Sequence, residues 1–131
     1  MNVYLVGPMD NVSQEYQKGW RNRSTEYLNA WEIGTFDPTR RPHSDDLSEK
    51  EIYALDLIDM KNSDLILVDL RMPSWGTAME IMYAYEVLKL PIIGWDDSEV
   101  TTFSVFLDVT VTRAFKTLDE ALDHITRFYT R

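Results

Sequence analysis

Short apolar runs alternate with longer amphipathic stretches along the whole of this chain, the pattern of strands separated by helices. Val3-Tyr4-Leu5-Val6 is continuously apolar, as a parallel strand covered on both faces should be, and it stops at Gly7-Pro8. From 13 to 31, Tyr16, Trp20, Tyr27, Leu28 and Trp31 fall near helical spacing, with Arg21, Arg23 and Glu26 available for the wet side. Gly34-Thr35-Phe36-Asp37-Pro38 reads as a short strand ended by proline, followed by a polar loop through Asp46. Ser48 and Glu51 form a capping-box pattern opening a helix with Ile52, Leu55 and Ile58 on one face, ending near Asn62. Leu65-Ile66-Leu67-Val68 is the clearest buried strand, Leu90-Pro91-Ile92-Ile93 a fourth, and the alternation over 107–111 predicts a fifth. Helices are expected over 74–89 and 117–129, the latter opening with a second capping box, Thr117 and Glu120. Five strands and about four helices predict an α/β fold: a doubly wound, mainly parallel sheet with helices on both faces.

At 131 residues the chain fits one domain spanning 1–131, and 44% hydrophobic residues are enough to fill its core. The net charge of −9 repels polyanions, which argues against a nucleic-acid polymer or an anionic membrane as partner and leaves a small ligand open. Without cysteine there is no disulfide, thiolate nucleophile or Cys-type zinc site, and two histidines, His43 and His124, supply an all-His metal site or a histidine triad poorly. No basic n-region precedes an apolar segment and no apolar run reaches the ~18 residues of a membrane span, so the cytoplasm is the expected compartment.

In doubly wound sheets ligands bind beyond the carboxyl ends of the strands. The segments there are Gly7-Pro8-Met9, Asp37-Pro38, 69–76 and Gly94-Trp95. The stretch Pro73-Ser74-Trp75-Gly76-Thr77-Ala78-Met79-Glu80 places a carboxylate in the first turns of a helix, on the face shared with Tyr83, Ala84 and Val87. Burial there would raise the pKa of Glu80 while the helix dipole would hold it ionised, and such a carboxylate is a candidate nucleophile. Solvated acidic residues are also common in first turns, so spacing alone leaves both readings open. Asp56, between Leu55 and Leu57, is a second candidate beside the plainer reading of a polar edge residue. A pair matters because glycosidic cleavage needs one group to meet the cationic sugar carbon and another to manage the leaving group's proton. No dinucleotide fingerprint or Walker loop is present. Arg21, Arg23, Arg40 and Arg41 read either as a phosphate clamp or as solvated surface; His43 and His124 read as exposed, and the aromatic stripe of the first helix as core.

With these residues in view, the chain resembles the nucleoside 2-deoxyribosyltransferase family, which includes nucleoside 5′-monophosphate N-glycoside hydrolases. The resemblance rests on Tyr4-Leu5-Val6-Gly7-Pro8, Phe36-Asp37-Pro38, Asp56 placed eight residues before Asp64, Gly76-Thr77-Ala78-Met79-Glu80, Ala84-Tyr85 and Lys89-Leu90-Pro91. It implies a flavodoxin-like domain without metal or cofactor that cleaves the bond between base and sugar through a covalent glycosyl-enzyme. Glu80 matches the family nucleophile, Asp56 the carboxylate that protonates the departing base, and Tyr4 the hydroxyl that orients the nucleophile. Gly7, Pro8, Met9, Asp37 and Gly76 fall in the matching substrate loops. The transferases' aspartate six residues before the nucleophile is replaced by Ser74, which would admit a 5′-phosphate, whereas the hydrolases' Gly-rich Arg loop after the first strand is missing. The family's asparagine near the start of the last strand, contributed across a subunit interface, corresponds to Asp108. The expected partners are a nucleoside or nucleotide, a nucleobase and a second copy of the chain. The expected reaction is transfer of a deoxyribosyl group between bases, with hydrolysis of a nucleoside 5′-monophosphate as the alternative. A phospho-receiver module would use Asp69 but needs an acidic pair where Gly7-Pro8-Met9 stands; a silent nucleotide binder would bind without releasing base.

Overall fold

The continuous apolar runs become strands shielded on both sides. In the computed structural model, which describes residues 1–99 and 104–130, the central strands are β1 (Asn2–Val6), β3 (Leu65–Asp69) and β4 (Ile92–Trp95), with β2 (Gly34–Phe36) and β5 (Arg113–Phe115) at the edges. The sheet order is β2-β1-β3-β4-β5 and every pairing is parallel, so each connection is a crossover. Helices α1 (Gln14–Asn29), α2 (Glu49–Lys61), α3 (Trp75–Tyr83) and α4 (Val105–Thr110) lie in those crossovers, and α5 (Leu118–Phe128) follows the last strand. This is the doubly wound, flavodoxin-like architecture that the alternation predicts.

Because strand side chains alternate, the sheet sorts its residues into two cores. Val3, Leu5, Leu65, Leu67, Ile93 and Trp95 meet α1 and α5 on one face. Tyr4, Val6, Ile66, Val68 and Ile92 meet Met60 of α2, Ile81 of α3 and the residues beyond it on the other. Side-chain oxygens of Ser13, Ser48, Ser74 and Thr117 cap α1, α2, α3 and α5, and Ser48 completes its box with Glu51.

Three local expectations are corrected. Residues 107–111 are not the fifth strand: Ser104 caps α4 by accepting from the Leu107 amide at 3.3 Å, and the last strand starts at Arg113. Leu107 and Val111 pack on the core while Val109 is exposed, so what resembles a period of two is a helical offset of four. The helix expected over 74–89 changes to a π-helical turn at Ala84–Leu88, which rotates Val87 into solvent and brings Leu88 onto the core. Arg21, expected on the wet side of α1, is fully buried, whereas Trp31 lies past the helix end and is exposed.

Gly7 ends β1 under the first helix. A β-carbon there would sit 2.9 Å from the Trp20 ring and 3.0 Å from Cβ of Asp69, so this position is glycine because α1 and β3 approach it closely. Among the described residues no helix is long and apolar enough to cross a membrane.

Candidate active site

Tyr4 lies in the middle of β1 and points to the face covered by α2 and α3. Glu80, just past the first turn of α3, reaches back over it. The Tyr4 hydroxyl and Oε2 of Glu80 are both sealed from solvent, and neither has a completed hydrogen bond. They are nevertheless near enough for the phenol to favour the ionised carboxylate. Desolvation outweighs that help: with the repulsion of Asp56 it pushes the Glu80 pKa up to about 7, against the lowering effects of Tyr4 and Arg21. Burial and the same carboxylates raise the Tyr4 phenol as well, so it stays a neutral donor.

Asp56 projects from α2 toward this pair. Its Oδ1 accepts from Nη2 of Arg41 at 2.7 Å, and the same nitrogen donates to Oδ2 of Asp59 at 2.9 Å. All three side chains are largely buried. Desolvation raises the pKa of Asp56 and Asp59 adds to it, while the Arg41 guanidinium opposes both. Two carboxylates with raised proton affinity therefore stand together over β1, in the kind of environment that marks acid–base sites.

The other residues singled out in the sequence divide. Asp37 caps the 3₁₀ turn Pro38–Arg40, with Oδ1 accepting from the Thr39 amide and hydroxyl at 2.8 and 2.6 Å. Its side chain is buried beside Arg21, at 3.9 Å, and Arg40, at 3.4 Å. Arg21 donates to the carbonyls of Gln17, Gly7 and Leu5 and thus carries a positive charge beneath the site from α1. Gly7 and Pro8 are buried at the carboxyl end of β1 and Met9 is exposed beside them. Ser74 spends its oxygen as a helix cap, accepting from the Thr77 amide at 3.4 Å, and Gly76 borders open space. Asp108 is not brought to the cluster: it is exposed on α4, not at the start of the last strand.

Of the four arginines offered as a phosphate clamp, Arg23 and Arg40 are solvated surface, pairing there with Asp119 and Asn22, whereas Arg21 and Arg41 are withdrawn from solvent. His43 is exposed in a left-handed conformation, but His124 is half-buried against Phe115, Phe128 and Tyr129. Asp69 is fully buried and occupied by Arg71, which bonds both of its oxygens and stacks on Tyr16 and Trp95. A receiver's phosphorylated aspartate must be accessible, and this one is not.

Two concavities flank the cluster. One, of about 490 Å³, runs along β2 and is lined by Thr35, Asp37, Arg40, Arg41 and Asp59. The other, of about 590 Å³, lies between α3 and α4 and is lined by Ser74, Trp75, Thr77, Phe106 and Leu107. Neither is lined by Glu80, Asp56 or Tyr4. Among the described residues no three His, Asp or Glu side chains converge to hold a metal ion. The arrangement suits a reaction that needs one carboxylate as nucleophile and another as proton carrier. Sequence reasoning missed Arg41 and Asp59 as parts of it; the three-residue spacing of Asp56 and Asp59, which puts both on one helical face, was the available signal.

The model of the family described as "Nucleoside 2-deoxyribosyltransferase" matches residues 3–118. Among curated proteins, none matches the chain in sequence. Among solved structures, a 2-deoxyribosyltransferase from the psychrotolerant bacterium Bacillus psychrosaccharolyticus superposes with a TM-score of 0.74 at 18% identity, covering 94% of this chain and 91% of that one. A 2-deoxyribosyltransferase from Leishmania mexicana gives 0.74 at 14% identity, covering 98% and 99%. The CMP N-glycosidase of Clostridium botulinum gives 0.67 at 18% identity, covering 95% and 97%.

Proposed function

The chain belongs to the nucleoside 2-deoxyribosyltransferase family, an enzyme family of transferases and N-glycoside hydrolases, and from that premise we propose that it cleaves the N-glycosidic bond of a 2′-deoxynucleoside or its 5′-monophosphate through a glycosyl-Glu80 intermediate. The observation that carries this reading is the buried carboxylate of Glu80 facing the Tyr4 hydroxyl with Asp56 beside it. An ionised Glu80 oxygen attacks C1′ as the bond to the base lengthens; the bonding electrons leave with the base, and Asp56 delivers its proton to it. The oxocarbenium-like transition state is positive, so the carboxylate stabilises it before the ester forms. A second base or water then attacks C1′, Asp56 takes back a proton, and Glu80 leaves as carboxylate. Tyr4 holds the nucleophile's free oxygen.

Transfer to another nucleobase is the leading outcome. Hydrolysis of a 5′-monophosphate is favoured by one specific observation: a capping serine, not an aspartate, stands at the N-terminus of α3 beside open space at Gly76. A carboxylate at Ser74 would repel a phosphate that the helix terminus otherwise attracts. A second copy of the chain would seat on the face formed by α3 and α4, where Trp75, Met79, Val105, Phe106 and Val109 are all more than 60% exposed. Asp108, on the same short helix, would then face the neighbouring subunit.

The test is to incubate the protein with deoxynucleosides and deoxynucleotides, with and without a free acceptor base, and to separate the products. Glu80→Ala should abolish base release, and Ser74→Asp should shift preference from phosphorylated to unphosphorylated substrates. Base release by Glu80→Ala at the unaltered rate would refute the assignment of the nucleophile.

A further inference from the structure

Asp56 is held by a guanidinium that it does not hold alone. Nη2 of Arg41 bridges Oδ1 of Asp56 and Oδ2 of Asp59 at 2.7 and 2.9 Å, while Nε of Arg41 is buried with no acceptor. A buried donor left unpaired costs about 1–3 kcal/mol, so the side chain is placed for its two carboxylates rather than for its own hydrogen bonds. The loop that delivers it is stiff: Pro38 and Pro42 bracket Arg40 and Arg41, and Asp37 pins the intervening turn through Thr39. No hydrogen bond is made to Oδ2 of Asp56 among the described residues, whereas Oδ1 is taken.

Building on the function proposed above, we propose that Arg41 and Asp59 are a positioning pair for Asp56: Asp59 anchors the guanidinium, and the guanidinium occupies Oδ1 so that Oδ2 is the oxygen that gives and takes the proton. The pair also governs where the proton of the two carboxylates resides. The charged and titratable groups around them are Tyr4 on β1, Glu80 on α3, Arg21 on α1, Asp59 on α2, and Arg41 on the loop after β2. With Arg41 engaged, Asp56 favours its ionised form and the proton rests on Glu80. Reaction needs the reverse. In the reacting complex the proton has to sit on Oδ2 of Asp56, with Oδ1 still held by Arg41, and Glu80 has to be ionised to attack.

The opposing roles give the two partners opposite signatures. Arg41→Met removes what keeps Asp56 ionised, so the Asp56 pKa should rise and that of Glu80 fall. Asp59→Asn removes a like charge and leaves Arg41 to Asp56 alone, so the Asp56 pKa should fall. Carboxyl-carbon NMR titration of both residues in the free full-length protein reads this without turnover. In parallel, kcat and KM are measured against pH: Arg41→Met should lower kcat by about ten- to a hundredfold, a share of what a positioned acid supplies, with KM changed less than about twofold, and Arg41→Lys should restore part of it. Shifts of Asp56 in the same direction in both variants, or none, with base release intact in the unaltered protein, would overturn the positioning pair and leave the function standing. Opposite shifts without base release from any substrate would sustain the pair and overturn the function.

Discussion

Glu80→Gln isolates the energetic consequence of burying the nucleophile. In the folded protein the Glu80 carboxyl holds its proton up to about pH 7, while an ordinary glutamate loses it near 4.5. Between those values the folded state binds more protons than the unfolded chain, so this residue makes stability fall as pH rises. At about 1.4 kcal/mol per unit the rise corresponds to ~3 kcal/mol, an order-of-magnitude figure, lost by the unaltered protein across that window. Glutamine has nearly the same shape and never ionises. The two proteins should therefore be about equally stable near pH 4.5, and the variant should be more stable by ~3 kcal/mol above pH 8. Urea denaturation of both proteins from pH 4.5 to 9 reads the difference, in which unaltered groups cancel. A difference that stays flat across the range would refute the buried, protonated Glu80, and one of opposite sign would mean that Tyr4 and Arg21 outweigh desolvation. In the unaltered enzyme the same titration should appear as a limb of activity falling with pH above about 7, because the one proton that the two carboxylates share, and that Asp56 must deliver, is lost there.

Tyr4→Phe removes a donor that favours ionised Glu80, so that limb should move to higher pH, and kcat near neutrality should fall about tenfold or more, given ~1.5–3 kcal/mol for a hydrogen bond to a charged group. Gly7→Ala should cost about 1–3 kcal/mol in denaturant titration, because its methyl group would press on the Trp20 ring and the Asp69 side chain. Arg71→Met leaves the fully buried Asp69 carboxylate without its charged partner and should destabilise the fold by roughly 3–5 kcal/mol in urea denaturation.

The strands and helix caps were readable because they depend on neighbours within one or two turns. Continuous apolar runs gave β1, β3 and β4, and the serine and threonine caps stand where their spacing with Glu51 and Glu120 places them. The exception is instructive. Residues 107–111 are short and apolar, so a two-residue and a helical period fit equally well; the cap at Ser104 and the core contacts of Leu107 and Val111 decide for the helix.

What the sequence determined by itself was a parallel α/β sheet, the family, and the identity of Glu80, Asp56 and Tyr4 as the residues to inspect. The tertiary structure decided their electrical state. Tyr4 and Glu80 meet across 76 positions, Arg41 reaches Asp56 and Asp59 from 15 and 18 positions away, and Arg21 is carried under the site by a helix on the other side of the sheet. A charge takes its proton affinity from everything within several ångströms, in a medium whose dielectric is set by burial. Periodicity tells which face a side chain is on; the neighbours that meet it there exist only once the chain has folded.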